Sequence, residues 1–305
     1  MAQAFLRKLR QLTQPKDAPR MAGGGLTVRK SALYIFMILM VAFTALPLIY
    51  VVSSAFKPME ELFLFPPRFF VQHPTTRNFS DLIMSLGSST IPFLRYVFNS
   101  VVISVAVVLL TVLVCSMGAY ALSKHRVPAS GVIFKIIIAA LMFSPHVTTI
   151  PRYLVVNALG LYDTYTSLVI TQIAVAYNFF LMKQFIDQFP NEILESGRID
   201  GAGAWTLFRK IVMPSQKPAV ATLVVLTFVS CWNDYFTPLI YTSSQKMKTL
   251  PLALQTIAGG AAAVNVGRAG AVAAATLLMI LPVVVLFTVM QGQVMATMTH
   301  SGIKG

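Results

Sequence analysis

Residues 190–218 read PNEILESGRIDGAGAWTLFRKIVMPSQKP, and this stretch decides how the rest of the chain is understood. It is polar in a chain that is mostly apolar, and it lies between two long hydrophobic runs. Its order is specific. Glu195 is followed by the small residues Ser196 and Gly197, two spacers, Asp200-Gly201-Ala202, then Phe208, Ile211, Pro214 and Pro218. Pro190 suits the start of a helix, where a missing backbone donor costs nothing. Glu192 and Glu195 fall in or near its first turn and complement the helix dipole. Ile193 and Gly197 share a face, four residues apart. Gly197 and Gly201 leave no side-chain bulk, which lets another surface approach, and Gly201-Ala202-Gly203 can turn the chain sharply. Trp205, Phe208, Ile211 and Val212 then give the apolar stripe of a second short helix, which Pro214 is expected to end. The reading is a helix–turn–helix lying along a membrane, either an amphipathic interfacial loop with no partner or a knob offered to a soluble one.

The membrane follows from composition. Of 305 residues, 56% are hydrophobic and 11% charged, where a soluble domain has about 25% charged. A bilayer core needs about 20 apolar residues per helix. Six segments qualify: 32–52, 97–122, 132–150, 166–182, 219–239 and 271–289. Continuous apolar runs exclude the alternation of a barrel strand, so the fold class is all-α, a polytopic membrane protein with six transmembrane helices. The first run is too long for a signal-peptide core and lacks a cleavage site. Cys115 and Cys231 fall inside spans, which argues against a disulfide framework, and nothing beside them suggests a metal.

The formal net charge of +14 follows topology rather than nucleic acid. With both termini in the cytoplasm, sixteen of the 24 Lys/Arg are cytoplasmic and the other eight lie outside. This is the positive-inside bias, and it puts the Glu195 loop in the cytoplasm. The expected organisation is a basic cytoplasmic arm at 1–30, near anionic headgroups, then the first span and an outer loop at 31–95. A core at 96–297 carries the loop 190–218, and a cytoplasmic tail occupies 298–305.

Polar residues inside the spans are the candidates for a pathway. The third span is interrupted at Ser144-Pro145-His146 and closed by Pro151, and broken helices often line cavities. The fourth carries Gln172, Tyr177 and Asn178, and the fifth carries Asn233 and Asp234 near its outer end. Asp234 either faces a cavity or caps a helix end. A neutral polar solute needs amide and hydroxyl partners, which favours Asn178 for direct contact. The aromatic cluster Phe63, Phe65, Phe69 and Phe70 reads as an interfacial belt or as a docking surface. Ala258–Ala275 is rich in Ala and Gly, which suits close helix packing.

The loop 190–218 resembles the cytoplasmic "EAA" coupling loop of ABC importer permeases, with Ser196 and Gly197 in place of two alanines. The resemblance extends over Met117–Ser123, Pro151 and Tyr153, Leu159–Thr164, Asn178–Met182, Phe228 with Trp232–Asp234 and Pro238, and Thr249–Leu252. Together these are similar to the carbohydrate branch, the second permease of maltose-type importers. The tail Ser301–Gly305 is similar to a subgroup handling larger or acidic saccharides. The resemblance implies a type I importer in a bacterial cytoplasmic membrane. This chain would pair with a second homologous permease and couple to two ATP-binding subunits. An extracytoplasmic solute-binding protein would deliver a saccharide. Glu192, Glu195, Ser196, Gly197, Asp200, Gly201, Ala202, Phe208 and Pro214 would form the ATPase-coupling surface. ATP and Mg would be used by the partner ATPase, with no cofactor, metal or catalytic residue in this chain.

Two other readings compete. An ion-coupled secondary transporter usually carries several intramembrane ionisable groups, and only Asp234 is available. A membrane-embedded enzyme would need a reactive cluster, whereas His73, His125, His146 and His300 are scattered. The dipeptide Gly-Lys of a phosphate-binding loop never occurs, so energy has to come from a partner.

Overall fold

The structure is a computed structural model that describes residues 28–86, 91–259 and 269–302. The expected arm at 1–30 lies almost wholly outside the described residues, as do much of the Ala/Gly-rich stretch and the last three residues. In lipid the backbone must bond within its own segment, and the described chain is accordingly helical, with no strand element among the described residues. Two compact units occur, Met1–Tyr50 and Val51–Gly305. The first is described from Val28, where helix α1 (Val28–Ala55) begins, and the residues of that helix up to Tyr50 are largely exposed, as suits a lipid-facing span.

In the second unit the expected outer loop holds two helices, α2 (Met59–Leu62) and α3 (Arg77–Leu86). The central helix is α4 (Phe93–Lys124). It is followed by α5 (Ser130–Ala140), α6 (Pro145–Ala158), α7 (Tyr165–Ile173) and α8 (Ala176–Asp187). The loop region comprises α9 (Asn191–Ile199), α10 (Ala204–Leu207), a π-helical turn (Phe208–Val212) and α11 (Met213–Ser215). Then come α12 (Lys217–Trp232), α13 (Phe236–Tyr241), a 3₁₀ turn (Gln245–Met247), α14 (Leu250–Gly259) and α15 (Ala269–Gly302). Helix α4 packs against α7, α8 and α12, and α12 packs against α15.

Three of the expected spans differ from simple rods. The third is two helices, α5 and α6, separated by a turn. Pro151 does not close it: Pro151 lies inside α6, which continues to Ala158. One lost backbone bond does not stop a helix that other turns support. The fourth span breaks between Ile173 and Ala176 with a bend of 48°. The fifth ends at Trp232 rather than at residue 239, because the Asp234 carboxylate accepts from Phe236 N (2.9 Å) and Thr237 N (3.1 Å) and starts α13. Among the described residues, by length and apolarity alone, three helices can cross a membrane, or up to five when each bent pair counts as one. With α5 and α6 taken as the remaining span, this is consistent with six. The polar C-terminal segment, expected as a separate tail from residue 298, stays helical to Gly302.

Three apolar clusters hold the second unit together. One joins Cys115 and Tyr120 of α4 to Met182 and Ile186 of α8, Leu223 of α12, and the loop residues Leu194, Leu207, Phe208 and Val212. A second joins Leu82, Tyr96, Trp232, Leu250 and the small face of α15 at Ala271, Ala274 and Ala275. The third, around Leu168, Val156 and Tyr241, lies between them in chain connectivity.

Candidate docking loop and interior cavity

The loop is built from its glycines outward. A side chain at Gly197 would place a Cβ 2.6 Å from Leu207 Cδ2 and 3.3 Å from Ile211 Cδ1. Within this chain, the surface that needs this glycine is the second helix of the same loop. Gly201 has φ +80°, a left-handed conformation that glycine adopts without steric cost. Its amide bonds Arg198 O at 3.0 Å, and Ala202 N bonds Gly197 O at 2.9 Å, which closes the turn. Leu194, Leu207, Phe208 and Val212 are buried in the first apolar cluster. Each such side chain contributes about 1.5–3 kcal/mol relative to exposure to water.

Pro214 does not end the second helix. It sits in α11, and the chain stays helical to Ser215. Proline has no N–H to offer the carbonyl four residues back. Just before it, the ladder shifts to i→i+5, and Met213 N bonds Phe208 O. The turn between Ser215 and Lys217 then bends the chain by 78° into α12.

The sequence stripe is only half buried. Phe208 and Val212 point into the core, Ile211 is half-buried, and Trp205 is 55% exposed. Ile193 is also exposed, and Ile199 is 87% exposed at the turn. Glu192, Glu195, Ser196 and Asp200 are exposed around them, and Ala202 is half-buried. The loop thus presents a tip that is apolar at Ile199 and rimmed by carboxylates, on a base that cannot shift easily. Sequence reasoning missed one anchor. Lys124, the last residue of α4, donates through Nζ to Phe189 O (2.6 Å), Asn191 Oδ1 (3.0 Å) and Asp187 O (3.3 Å). A cation at the C-terminal end of α8 satisfies orphan carbonyls there and ties the loop's entry to the central helix. A lysine closing a long apolar run was the available signal.

The pathway candidates separate into two groups. Asn178 is buried and donates to Thr227 Oγ1 at 3.2 Å, joining α8 to α12. Asp234 caps α13 as described. These bonds give Asn178 a role in packing and Asp234 a role in capping. Gln172 is half-buried and donates to Leu168 O in its own helix, and Tyr177 is exposed near the break between α7 and α8. Asn233, by contrast, lines a cavity of about 220 Å³ together with Tyr235, Pro251, Leu254, Gln255 and Thr276. Gln255 and Thr276 are polar lining residues that the sequence did not single out, because no local pattern brings α14 and α15 to the end of α12.

The bundle end away from the loop is held by a different chemistry. Asn99 is fully buried in α4 and donates to Lys246 O and Lys248 O, both at 2.8 Å, while Tyr165 Oη donates to its Oδ1 at 2.6 Å. Ser100 Oγ accepts from Leu250 N at 2.8 Å. Asp163 Oδ1 accepts from Ser243 N, Ser244 N and Ser244 Oγ at 3.1–3.2 Å. In the segment after α1, the Glu61 carboxylate accepts from Gln72 N (3.0 Å) and His73 N (2.9 Å). The bond from Gln72 holds its pKa below the usual carboxylate value; burial opposes, and the His73 bond and the nearby His73 and Arg68 charges assist. Among the described residues no cluster of His, Cys, Asp and Glu could hold a metal ion.

Comparison with known proteins identifies this bent helical bundle. The family described as "binding-protein-dependent transport system inner membrane component" matches residues 111–298. The chain belongs to that family: it is a permease subunit of an ABC transporter, and ATP hydrolysis is carried out by separate ATPase subunits. The sn-glycerol-3-phosphate transport system permease protein UgpE of Yersinia enterocolitica is 34% identical over 206 residues, 68% of this chain and 73% of that one. The inner membrane ABC transporter permease protein YcjP of Escherichia coli is 28% identical over 287 residues, 93% and 100% of the two chains. The arabinooligosaccharides transport system permease protein AraQ of Halalkalibacterium halodurans is 28% identical over 277 residues, 87% and 93%. A solved bacterial ABC transporter involved in the import of the acidic polysaccharide alginate superposes with TM-score 0.74 at 23% identity, covering 87% of this chain and 98% of that one. That last likeness establishes the fold. A permease of this family works with a partner permease, an ATPase and a binding protein.

Proposed function

We propose that this chain is one half of the translocation pathway of a saccharide importer, and that residues 190–218 are the surface on which an ATP-binding subunit docks. The observation that carries the docking reading is the exposed turn at Ile199, with Ile193 exposed on the same helix, on a helix–turn–helix whose two arms meet at Gly197. A soluble protein surface gains by covering such a tip, and the rigid base passes its movement to α8 and α12. The complex is a heterodimer of permeases with two ATPases, which use ATP and Mg, and both termini of this chain lie in the cytoplasm with the loop. The saccharide reading rests on the sugar-linked relative AraQ and on the amide, hydroxyl and aromatic lining at Asn233, Gln255, Thr276 and Tyr235. Gln172 and Tyr177 are proposed to border the same passage at the break in the fourth span, with Asn178 and Asp234 supporting it structurally.

The test is reconstitution of the complete transporter with its solute-binding protein in liposomes. The reading expects ATP hydrolysis to rise when the binding protein carries a saccharide. A complex stimulated only by a non-carbohydrate solute would refute the substrate class, and transport driven by a sodium or proton gradient without ATP would refute the coupling.

A further inference from the structure

Arg152 is an exposed positive charge midway along α6, with no ion-pair partner among the described residues. It lies in α6, six residues before that helix ends at Ala158, and contacts α7 six residues after that helix begins at Tyr165. At a rise of about 1.5 Å per residue, both counts put it about 9 Å in from the ends of the two helices. Its guanidinium makes two long contacts, to Thr171 O at 3.3 Å and to Thr148 Oγ1 at 3.4 Å. Thr148 is one turn deeper still, so the side chain does not reach out toward the helix ends. Around it, α6 exposes Val147, Ile150, Leu154 and Val155. Arg152 is itself exposed, and among the described residues the ion pairs are Arg77 with Asp81 and Lys183 with Asp187, neither of which involves it.

A guanidinium carries five N–H donors, and two neutral contacts near the distance limit leave most of that capacity unused. A charge at this depth is costly against lipid and marks a wet passage or a charged ligand. The adjacent Tyr153 packs with Tyr162 and Tyr241 at ring distances of 6.1 and 6.2 Å, and these rings fix the backbone beside the charge. We propose that Arg152 is a specificity-determining residue of the pathway that engages an anionic group on the transported sugar, a carboxylate first of all. Guanidinium and carboxylate match in two parallel hydrogen bonds, and a desolvated pair of this kind discriminates strongly against a neutral analogue. Thr171 O and Thr148 hold the planar group in place while its remaining donors face the passage. The proposal rests on the saccharide reading and narrows it to sugars bearing acid groups.

The experiment uses the complete reconstituted transporter with its binding protein and three probes: a uronate trisaccharide, a neutral trisaccharide of the same length, and a sugar phosphate. The parent should take up the uronate in preference to the neutral probe. Arg152→Gln should lower the uronate-to-neutral uptake ratio by about tenfold, the size of one lost charge-assisted hydrogen bond, and Arg152→Lys should retain part of that ratio. A ratio that falls only for the sugar phosphate keeps the anion site and assigns it to phosphate esters. Equal loss for all probes overturns the proposal, because it marks Arg152 as a cap on α7 or as the partner of a carboxylate on the second permease. A parent that carries neutral sugar alone also overturns it while leaving the saccharide reading intact. A parent that carries no saccharide defeats both.

Discussion

The two ends of the bundle are fastened by opposite means. At the loop end, apolar side chains lock α9 against α10 and the π turn, and the polar groups face outward. At the other end, the buried Asn99 and Ser100 of α4 and the half-buried Asp163 before α7 hold backbone groups of residues 243–250. Apolar packing tolerates sliding only as a rigid body, which suits an element that receives a push. Hydrogen bonds to backbone fix a loop's path, which suits the end that shapes an entrance. The cores differ in kind, and substitutions at the two ends should therefore fail in different ways.

The largest effect is expected at Gly197. Gly197→Val forces a Cβ to within 2.6 Å of Leu207 Cδ2, and overpacking of this kind costs about 1–3 kcal/mol. The two loop helices should separate. Uptake and co-purification of the ATPase should both fall at least about tenfold, while the variant still inserts in the membrane; retention of both activities would break the account of the loop.

Asn99→Leu is the matching test at the far end. It removes the Asn99 bonds to Lys246 O, Lys248 O and the Tyr165 hydroxyl, and Lys246 O and Tyr165 Oη then keep only long bonds from Arg95, at 3.4 and 3.3 Å. Each unsatisfied buried group costs about 1–3 kcal/mol. A lower Tm in detergent is expected, with ATPase association close to that of the parent. Loss of ATPase binding here would erase the distinction between the ends.

A smaller loss is expected from Asp163→Ala, whose three bonds to Ser243 and Ser244 are partly solvent-exposed. Faster hydrogen exchange at the Ser243 and Ser244 amides, confined to that loop, is the readout; exchange spreading to residues 194–212 would show the ends to be coupled more tightly than the packing suggests.

The smallest effect concerns pH. The folded pKa of Glu61 lies below its ordinary value of 4.5 because Gln72 N bonds the carboxylate. Its contribution is thus complete above about pH 4.5 and is lost as pH falls below that through the folded value. The Gln72 and His73 amides should stay protected at neutral pH and exchange faster in that acid range. Glu61→Gln should remove this pH dependence.

How much of this was legible beforehand follows from the same contrast. The loop was legible because its residues interact over fewer than twenty positions, so spacing and glycine placement reveal the turn at Gly201 and the stripe at Phe208. The break before Ala176 and the early end of α12 at Trp232 were not, since both lie within apolar runs that satisfy a length rule. The partner of Asn99 lies nearly 150 residues away, and no local pattern encodes it. Arg152 falls just beyond residue 150, where the third span is expected to end, and only the structure shows that its helix runs on to Ala158. Gly197 is legible as a site of close approach, and the structure adds Leu207 as a neighbour within the same loop.

The central claim is that Ile199 touches an ATP-binding subunit. Cys115 and Cys231 are buried, so a cysteine at Ile199 supplies the accessible thiol among the described residues. In the assembled transporter, a short thiol-to-amine cross-linker should join Ile199→Cys to the ATP-binding subunit, with a yield that changes when ATP is added. Cross-linking to the solute-binding protein, or to neither, would contradict both the placement of the loop and the coupling role built on it.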